Sequence, residues 1–413
     1  MGYSNPDRLE SIAVYTAAPW EMALVTVRVT GPAGFAGVKV LQGKTDGKIS
    51  LDAAHLADLI VIQRDFPRYW DAYLEILAIA RRENKPIVFE IDDLLFELPT
   101  DHSHRHEYLD ALLPMVHVAL IADLVTVSTV ELGDYMRCLN PNVVVVQNYL
   151  NDRIWRFKPG FEKTIHSNVV SIGYMGGETH GYDLEEISPA LIRILESYSG
   201  KVRFRIMGGK PPQNLLNHPD VEWIPINQLN YVRFADAFLE QDWDIFISPL
   251  RDDPFNQAKS GLKFLEYSTH GLPGVYSRLT PYESIVIDGQ TGFLAGDLKE
   301  WEGYLARLIE QPELRRQLGY EAQKTVIQKW LLSKNYSAWL KAYQQAFNRE
   351  LIKSHPRDAK LLSSILEQAQ LYCQMRDHEA NNLYRELIEI YESRSWKAMQ
   401  KIHRVRAKIF PKS

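Results

Sequence analysis

Asp244-Ile245-Phe246-Ile247-Ser248-Pro249-Leu250-Arg251-Asp252-Asp253-Pro254-Phe255-Asn256-Gln257-Ala258-Lys259-Ser260-Gly261-Leu262-Lys263-Phe264-Leu265-Glu266-Tyr267 changes character twice along its length. The apolar run Asp244–Pro249 reads as a strand, Leu250–Lys259 as a polar loop, and Ser260–His270 as a helix. A strand leading through a loop into a helix is the repeating half-unit of a parallel α/β layer. Ser260 stands where a side chain can cap the helix. Free backbone N–H groups near Gly261 and Leu262, together with the helix dipole, attract phosphate. Lys259 and Lys263 are four residues apart, so both can project to one side and neutralise a diphosphate. Glu266 follows one turn later, and a carboxylate there can accept two hydrogen bonds from a ribose diol. The bland alternative is a surface helix with a Lys263–Glu266 ion pair, worth about 0.3–0.5 kcal/mol.

The alternation continues on both sides. Toward the C-terminus, Gly274–Tyr276 reads as a strand after Gly271-Leu272-Pro273, and Leu298–Gln311 and Pro312–Trp330 as helices. Toward the N-terminus, Val169–Tyr174, Val202–Met207 and Val221–Ile226 read as strands. The first ends near Gly176-Gly177 and the second at Gly208-Gly209, with helices at Leu184–Ser197 and Tyr231–Leu239. The first 150 residues repeat the pattern. Ser11–Tyr15, Leu59–Gln63, Pro86–Ile91, Leu124–Ser128 and the four-valine run Val143–Gln147 are strands, the last read as buried on both faces. Trp70–Asn84, Pro114–Ala122 and Glu131–Cys138 are helices. The polar segment from Asn151 to about Ser167, with Pro159-Gly160, is the expected linker. The fold class is therefore α/β, with two Rossmann-like domains facing across a cleft and a C-terminal helical extension. Residues 1–158 form the N-terminal domain, 168–335 the C-terminal domain and 336–413 the extension with its basic tail. Ligands of open α/β sheets bind beyond the carboxyl ends of the strands, which here face the cleft.

Bulk properties set the bounds. A chain of 413 residues exceeds what one core of roughly 250–300 residues sustains. With 46% hydrophobic and 24% charged residues, disorder is not expected. The two cysteines, Cys138 and Cys373, lie far apart without metal-binding spacing, which argues against a disulfide framework or structural zinc and fits a reducing cytoplasm. The first residues lack a signal-peptide pattern, and no apolar run of about 18 residues predicts a membrane span. Net charge is −5, yet the seven Lys/Arg from Arg394 onward meet no acid. On a helix Lys397, Lys401, Arg404 and Lys408 share a stripe beside Trp396, Met399, Ile402, Val405 and Ile409. Such a tail can rest on an anionic membrane or dock as a solvated end helix. The acidic body does not suggest nucleic-acid binding.

From Val169 to about Trp330 the chain resembles the C-terminal domain of retaining glycosyltransferases of the GT-B fold, specifically the large family four. The resemblance rests on Gly173 with His180-Gly181-Tyr182-Asp183, on Gly208-Gly209, on Asp244–Pro249, on Gly261 followed by Glu266, on His270-Gly271-Leu272-Pro273 and on Asp288-Gly289-Gln290-Thr291-Gly292-Phe293-Leu294. It implies that Glu266 holds a nucleotide ribose and that Gly261 lets backbone amides reach the diphosphate. Gly176, Gly177, His180, Gly208, Gly209, Asn256, Ser260 and Leu262 complete the expected donor side. The co-substrate is a nucleoside diphosphate sugar of UDP, GDP or dTDP type, with no cofactor and no metal. Two departures stand out. Ala258 occupies the place of the family's first glutamate, which contacts the donor sugar. Tyr174 and His180 stand near the places of its phosphate-binding Arg and Lys, and Lys259 and Lys263 can supply that charge.

In the first half, Asp92-Asp93 closes the strand Pro86–Ile91. The pair can act as base, acceptor clamp, metal ligand or helix cap. It resembles an Ile-Asp-Asp pattern of bacterial polysaccharide glycosyltransferases, which implies contact with the acceptor or the reacting sugar. Arg28, Gly31 and His102 are the further acceptor-side candidates, and Arg64 is a weaker one. Asp101, His102, His104 and His106 form a polar cluster suited to a lid, with metal ligation as the alternative. His117 reads as a satisfied core histidine. The expected activity is retaining transfer of a sugar to a glycan or lipid-linked acceptor in cell-surface polysaccharide synthesis, at the cytoplasmic side of the membrane. The rivals are a non-catalytic GT-B protein that binds nucleotide sugar or glycan, and a Rossmann epimerase or dehydrogenase. The last would need a Gly-x-Gly-x-x-Gly turn, and the chain offers only Gly176-Gly177.

Overall fold

Leu59–Gln63 and Ile87–Ile91 are buried at every position, which is what central strands of a sheet covered on both faces require. In the computed structural model they lie in the middle of a six-stranded parallel sheet. Its order is Lys39–Gln42, Ser11–Thr16, Leu59–Gln63, Ile87–Ile91, Leu124–Val127 and Val143–Val145. A second parallel sheet has the order Val221–Pro225, Val202–Gly208, Val170–Gly176, Ile245–Ser248, Gly274–Ser277 and Phe293–Ala295. Both are doubly wound, with the strand order reversing beside Ser11–Thr16 in the first and beside Val170–Gly176 in the second. Those reversals open the crevices in which such sheets bind ligands.

The structure describes residues 8–158, 169–226, 230–351 and 357–393. Both sheets belong to one compact unit ending at His355. A second unit starts at Pro356 and contains the helix Arg357–Glu392. Among the described residues no helix is long and apolar enough to cross a membrane. The basic tail from Arg394, and the linker beyond Lys158, lie outside the described residues.

Three findings refine the sequence reading. The valine run is half-buried over Val143–Val145 because it forms the sheet edge, not an interior strand. The helix expected from Ser260 starts at Leu262, with Gly261 as its cap residue. Ser260 instead accepts a hydrogen bond from Asn148 Nδ2 of the N-terminal domain at 2.7 Å. The helix Leu332–Phe347, in sequence past the second sheet, returns to the first: Trp339 and Tyr343 pack among Val14, Val29 and Val61. Trp339 Nε1 also donates to the Arg28 carbonyl at 3.1 Å.

The loop that opened the sequence reading is bolted across the cleft. Phe255 and Ala258 are buried in the N-terminal core. Thr129 Oγ1 donates to the Ala258 carbonyl at 2.7 Å, and Arg251 makes a two-pronged bond to Asp101 at 2.7 and 2.9 Å.

Candidate functional site

The carboxyl ends of both sheets border a cleft of about 1100 Å³. Its C-terminal wall carries Gly176, Gly177, His180, Gly208, Gly209, Lys259, Ser260, Leu262, Lys263 and Glu266, and its N-terminal wall Arg28, Asp92, Asp93 and His102. Three sequence candidates do not line it. Asn256 is fully buried and holds Asp183 and the Arg251 carbonyl, so it stiffens the loop. A Cβ at Gly261 would fall 2.7 Å from the Pro281 carbonyl, so that glycine serves the close packing of the segment after Leu279. Gly31 opens the helix Gly31–Ala36 against Asn151 and Leu332. Within the cleft, Gly208 is required by its own backbone: φ is +116°, and a Cβ would sit 2.2 Å from the Gly176 carbonyl.

Two cations dominate the C-terminal wall. Lys259 lies over the Phe255 ring at 4.4 Å, and Lys263 over the Tyr174 ring at 4.8 Å. Lys263 Nζ also donates to the Tyr174 hydroxyl at 3.4 Å. Among the described residues neither ammonium has a carboxylate ion-pair partner. Burial lowers both pKa values; Lys263 falls to about 8, with repulsion from Lys259 as the second cause. Half-buried cations that lack an ion-pair carboxylate are less favourable alone than when an anion joins them.

His180 is neutral, with its pKa pushed down to about 3 by burial and by the two lysines. Its Nδ1 meets Asp183 Oδ2 at 2.8 Å. Burial raises the Asp183 pKa, but the hydrogen bond from His180, the Lys259 charge and the Arg251 N–H outweigh it and hold the carboxyl below its usual value. An ionised carboxylate only accepts, so Nδ1 must carry the proton and Nε2 is left as an acceptor.

Glu266 is almost fully buried at the inner end of the cleft, and burial raises its pKa to about 7. Its Oε1 accepts from the Tyr231 hydroxyl at 2.6 Å. That hydroxyl accepts from Trp155 Nε1 at 3.0 Å. Tyr231, Trp223, Pro225 and Ile226 add an aromatic and apolar lobe beside Gly208-Gly209. Tyr231 escaped the sequence reading because a tyrosine opening an amphipathic helix looks like core.

On the opposite wall Arg64 has the left-handed φ of +48° at the end of its strand. Its Nη1 lies 3.4 Å from Asp92 and 3.5 Å from Asp93, and Nη2 donates to the Tyr108 hydroxyl at 3.2 Å. A non-glycine residue in that region stores about 1–3 kcal/mol, which the surrounding contacts must offset. Asp92 Oδ1 is buried without a hydrogen-bond partner. Burial and the neighbouring Asp93 raise the Asp92 pKa, and Arg64 opposes them. Arg28 lies at the cleft floor and is internally satisfied. Within the five-residue π-turn Thr26–Thr30 its Nε meets Glu90 at 2.6 Å, and Nη1 meets Asn148 at 2.8 Å and the Val146 carbonyl. Its charge is spent on the fold.

The histidine cluster does not converge. His102 is buried against Phe255 with a ring separation of 5.5 Å, His104 pairs with Glu107 and His106 is exposed. Among the described residues no group of three or more His, Cys, Asp or Glu is placed to hold a metal ion. His117 is fully buried and bonded to the Tyr73 hydroxyl at 2.7 Å, as read from the sequence.

Two parallel α/β domains facing across one cation-bearing cleft define the GT-B fold. Residues 167–311, which contain the lysine pair and Glu266, match the family described as "Glycosyl transferases group 1". Solved structures share the architecture. Sucrose-phosphate synthase (tll1590) from Thermosynechococcus elongatus has a TM-score of 0.58 at 14% identity, over 82% of this chain and 100% of that one. Anabaena Alr3699/HepE, in complex with UDP and glucose, has 0.58 at 13%, over 82% and 100%. A glycosyltransferase from Rickettsia africae has 0.54 at 13%, over 84% and 100%. At these identities the likeness concerns the fold. None of the curated proteins matches the sequence.

Proposed function

We propose that the protein is a glycosyltransferase that binds a nucleoside diphosphate sugar, of UDP, GDP or dTDP type, and passes the sugar to a glycan or lipid-linked acceptor. One observation carries this reading: among the described residues Lys259 and Lys263 have no carboxylate ion-pair partner, and they share the cleft with the Glu266 carboxylate. Two cations beside one carboxylate match a diphosphate joined to a ribose diol. The apolar lobe at Trp223, Pro225 and Ile226 suits a base.

In the transfer, the bond from the anomeric carbon to the diphosphate oxygen breaks, and its electron pair leaves with the diphosphate. An acceptor oxygen bonds to that carbon. Its proton passes to the departing diphosphate or to the Asp92–Asp93 pair across the cleft. Lys259 and Lys263 stabilise the charge that grows on the leaving group, an arrangement that prearranged donors provide well. Retention of configuration follows from the family resemblance. So do the absence of a cofactor or metal and a role in cell-surface polysaccharide synthesis. The basic tail from Arg394 supports an anionic membrane surface at the cytoplasmic side as a further partner. Liposome flotation tests this: deletion of residues 394–413 should remove binding to anionic vesicles, and undiminished binding would discard it.

The experiment for the site is a thermal-shift series with UDP, GDP and dTDP. The preferred nucleotide at 100 times its dissociation constant should add about 2.7 kcal/mol. Glu266→Ala should abolish that gain, and an unchanged shift would refute the ribose role. A second reading, a non-catalytic nucleotide-sugar binder, is favoured by Ala258. Where the resemblance expects a sugar-binding carboxylate, its side chain is packed in the N-terminal core. Tight nucleotide binding with no donor turnover in the presence of glycan acceptors would select it.

A further inference from the structure

Tyr231 joins three parts of the molecule. Its hydroxyl donates to Glu266 Oε1 at 2.6 Å and accepts from Trp155 Nε1 at 3.0 Å, in the segment that leaves the first domain. Its backbone N–H donates to the carbonyl of Glu21 at 2.8 Å, in the N-terminal loop that brings Met22, Ala23 and Leu24 to the cleft. Its ring is held edge-on by Trp155 at 5.8 Å, and Asn230 caps its helix by accepting from the Arg233 N–H. A hydroxyl whose proton goes to Glu266 and whose lone pair receives the indole N–H has no freedom to rotate. The carboxylate it holds is therefore fixed, with Oε1 engaged and Oε2 left for a ligand.

We propose that Tyr231 is the positioning residue of the donor site: it sets the Glu266 carboxylate to receive the nucleoside and ties that carboxylate to the N-terminal loop at Glu21. The inference rests on the reading of Glu266 as the ribose acceptor. It adds that ribose recognition and the seating of the other domain's loop form one mechanical unit. A nucleoside diphosphate that engages Glu266 thereby stiffens the wall against which the acceptor is placed.

The test is calorimetric titration of the full chain with UDP, GDP and dTDP, and with inorganic pyrophosphate as a probe lacking ribose, across pH 5.5–9 (a range chosen to span about pH 7 and 8). Tyr231→Phe keeps the ring and removes only the hydroxyl. Losing a charge-assisted hydrogen bond should weaken nucleotide binding about tenfold, with pyrophosphate binding unchanged. Charged and titratable groups around Glu266 are Lys263 and Tyr267 on its own helix, Tyr231 on the facing helix and Tyr282 from the segment after Leu279. The Tyr231 hydrogen bond lowers the Glu266 pKa, so its removal must move the acid limb of nucleotide binding to higher pH. The alkaline limb, set by Lys263, should stay in place. A merely structural tyrosine would change thermal stability and leave the acid limb where it is. Trp155→Phe, which removes the N–H that orients the hydroxyl together with part of the indole ring, should shift the same limb by less and serves if Tyr231→Phe does not fold. Glu266→Ala separates the two ideas. If it removes the advantage of nucleotide over pyrophosphate while both other variants behave as wild type, the Tyr231 proposal is wrong and the ribose reading stands. If Glu266→Ala leaves that advantage intact, both fall.

Discussion

Alanine at both Lys259 and Lys263 is expected to weaken nucleoside diphosphate binding by about 10²–10⁴-fold. Each charge-assisted contact to phosphate contributes roughly 1.5–3 kcal/mol, and each 1.4 kcal/mol is tenfold. The apo protein should meanwhile lose no stability. Both ammonium groups are held above aromatic rings without carboxylate partners among the described residues, so the fold carries them at a penalty. The pH dependence has a definite sign. Lys263 has a folded pKa of about 8, below its ordinary value, so the unfolded chain binds more protons between those two values. Stability contributed at this site therefore rises as pH climbs through and above about 8, and the double variant should lack that rise. Titration calorimetry for affinity and urea melts at pH 7 and 9.5 measure the two effects. A variant that unfolds more easily while still binding UDP, GDP or dTDP as wild type would show that the lysines serve packing.

The second large effect is expected at Asp183. Its carboxylate is fully buried and accepts from His180 Nδ1 at 2.8 Å, from the Arg251 N–H at 2.9 Å and from Asn256 Nδ2 at 2.9 Å. Asp183→Ala leaves these donors facing an empty site, each at a desolvation cost of about 1–3 kcal/mol, so a loss of about 3–5 kcal/mol is expected. Because Arg251 and Asn256 belong to the loop that carries Lys259, nucleotide binding should fall with it. The Asp183 pKa is held below the usual value, so its stabilisation is present at neutral pH and is lost as pH falls through that depressed value. The variant should therefore show a flatter acid limb in urea melts between pH 2.5 and 7. A loss under about 1 kcal/mol would mean the loop is held by other contacts, chiefly Phe255 and the Ala258 carbonyl.

The lysine-bearing wall of the cleft was legible because its signals are local. Lys259, Lys263 and Glu266 lie within two turns, so their spacing alone puts them on related faces, and all three line the cleft. Gly176-Gly177 and Gly208-Gly209 were legible as strand ends for the same reason. The opposite wall was only partly so. Asp92-Asp93 could be placed at a strand end, but the guanidinium between them comes from Arg64, whose left-handed backbone no sequence period reports. Arg28 read as an acceptor-side candidate, and its partner Glu90 is 62 residues away.

The sequence alone determined that there are two parallel α/β domains and that Lys259, Lys263 and Glu266 lie close together on one of them. Hydrophobic period, turn residues and helical spacing are properties of short segments, and they survive without knowledge of the rest of the chain. Tertiary structure decided which polar groups remain available. Burial and long-range partners engaged Arg28, Asn256, Gly31 and Gly261 in the fold and, among the described residues, left Lys259 and Lys263 without an ion-pair carboxylate. They also brought Tyr231 to Glu266 from 35 residues away. Whether a charge is spent on the fold or kept for a ligand depends on what lies within a few ångströms in space, and distance along the chain does not encode that.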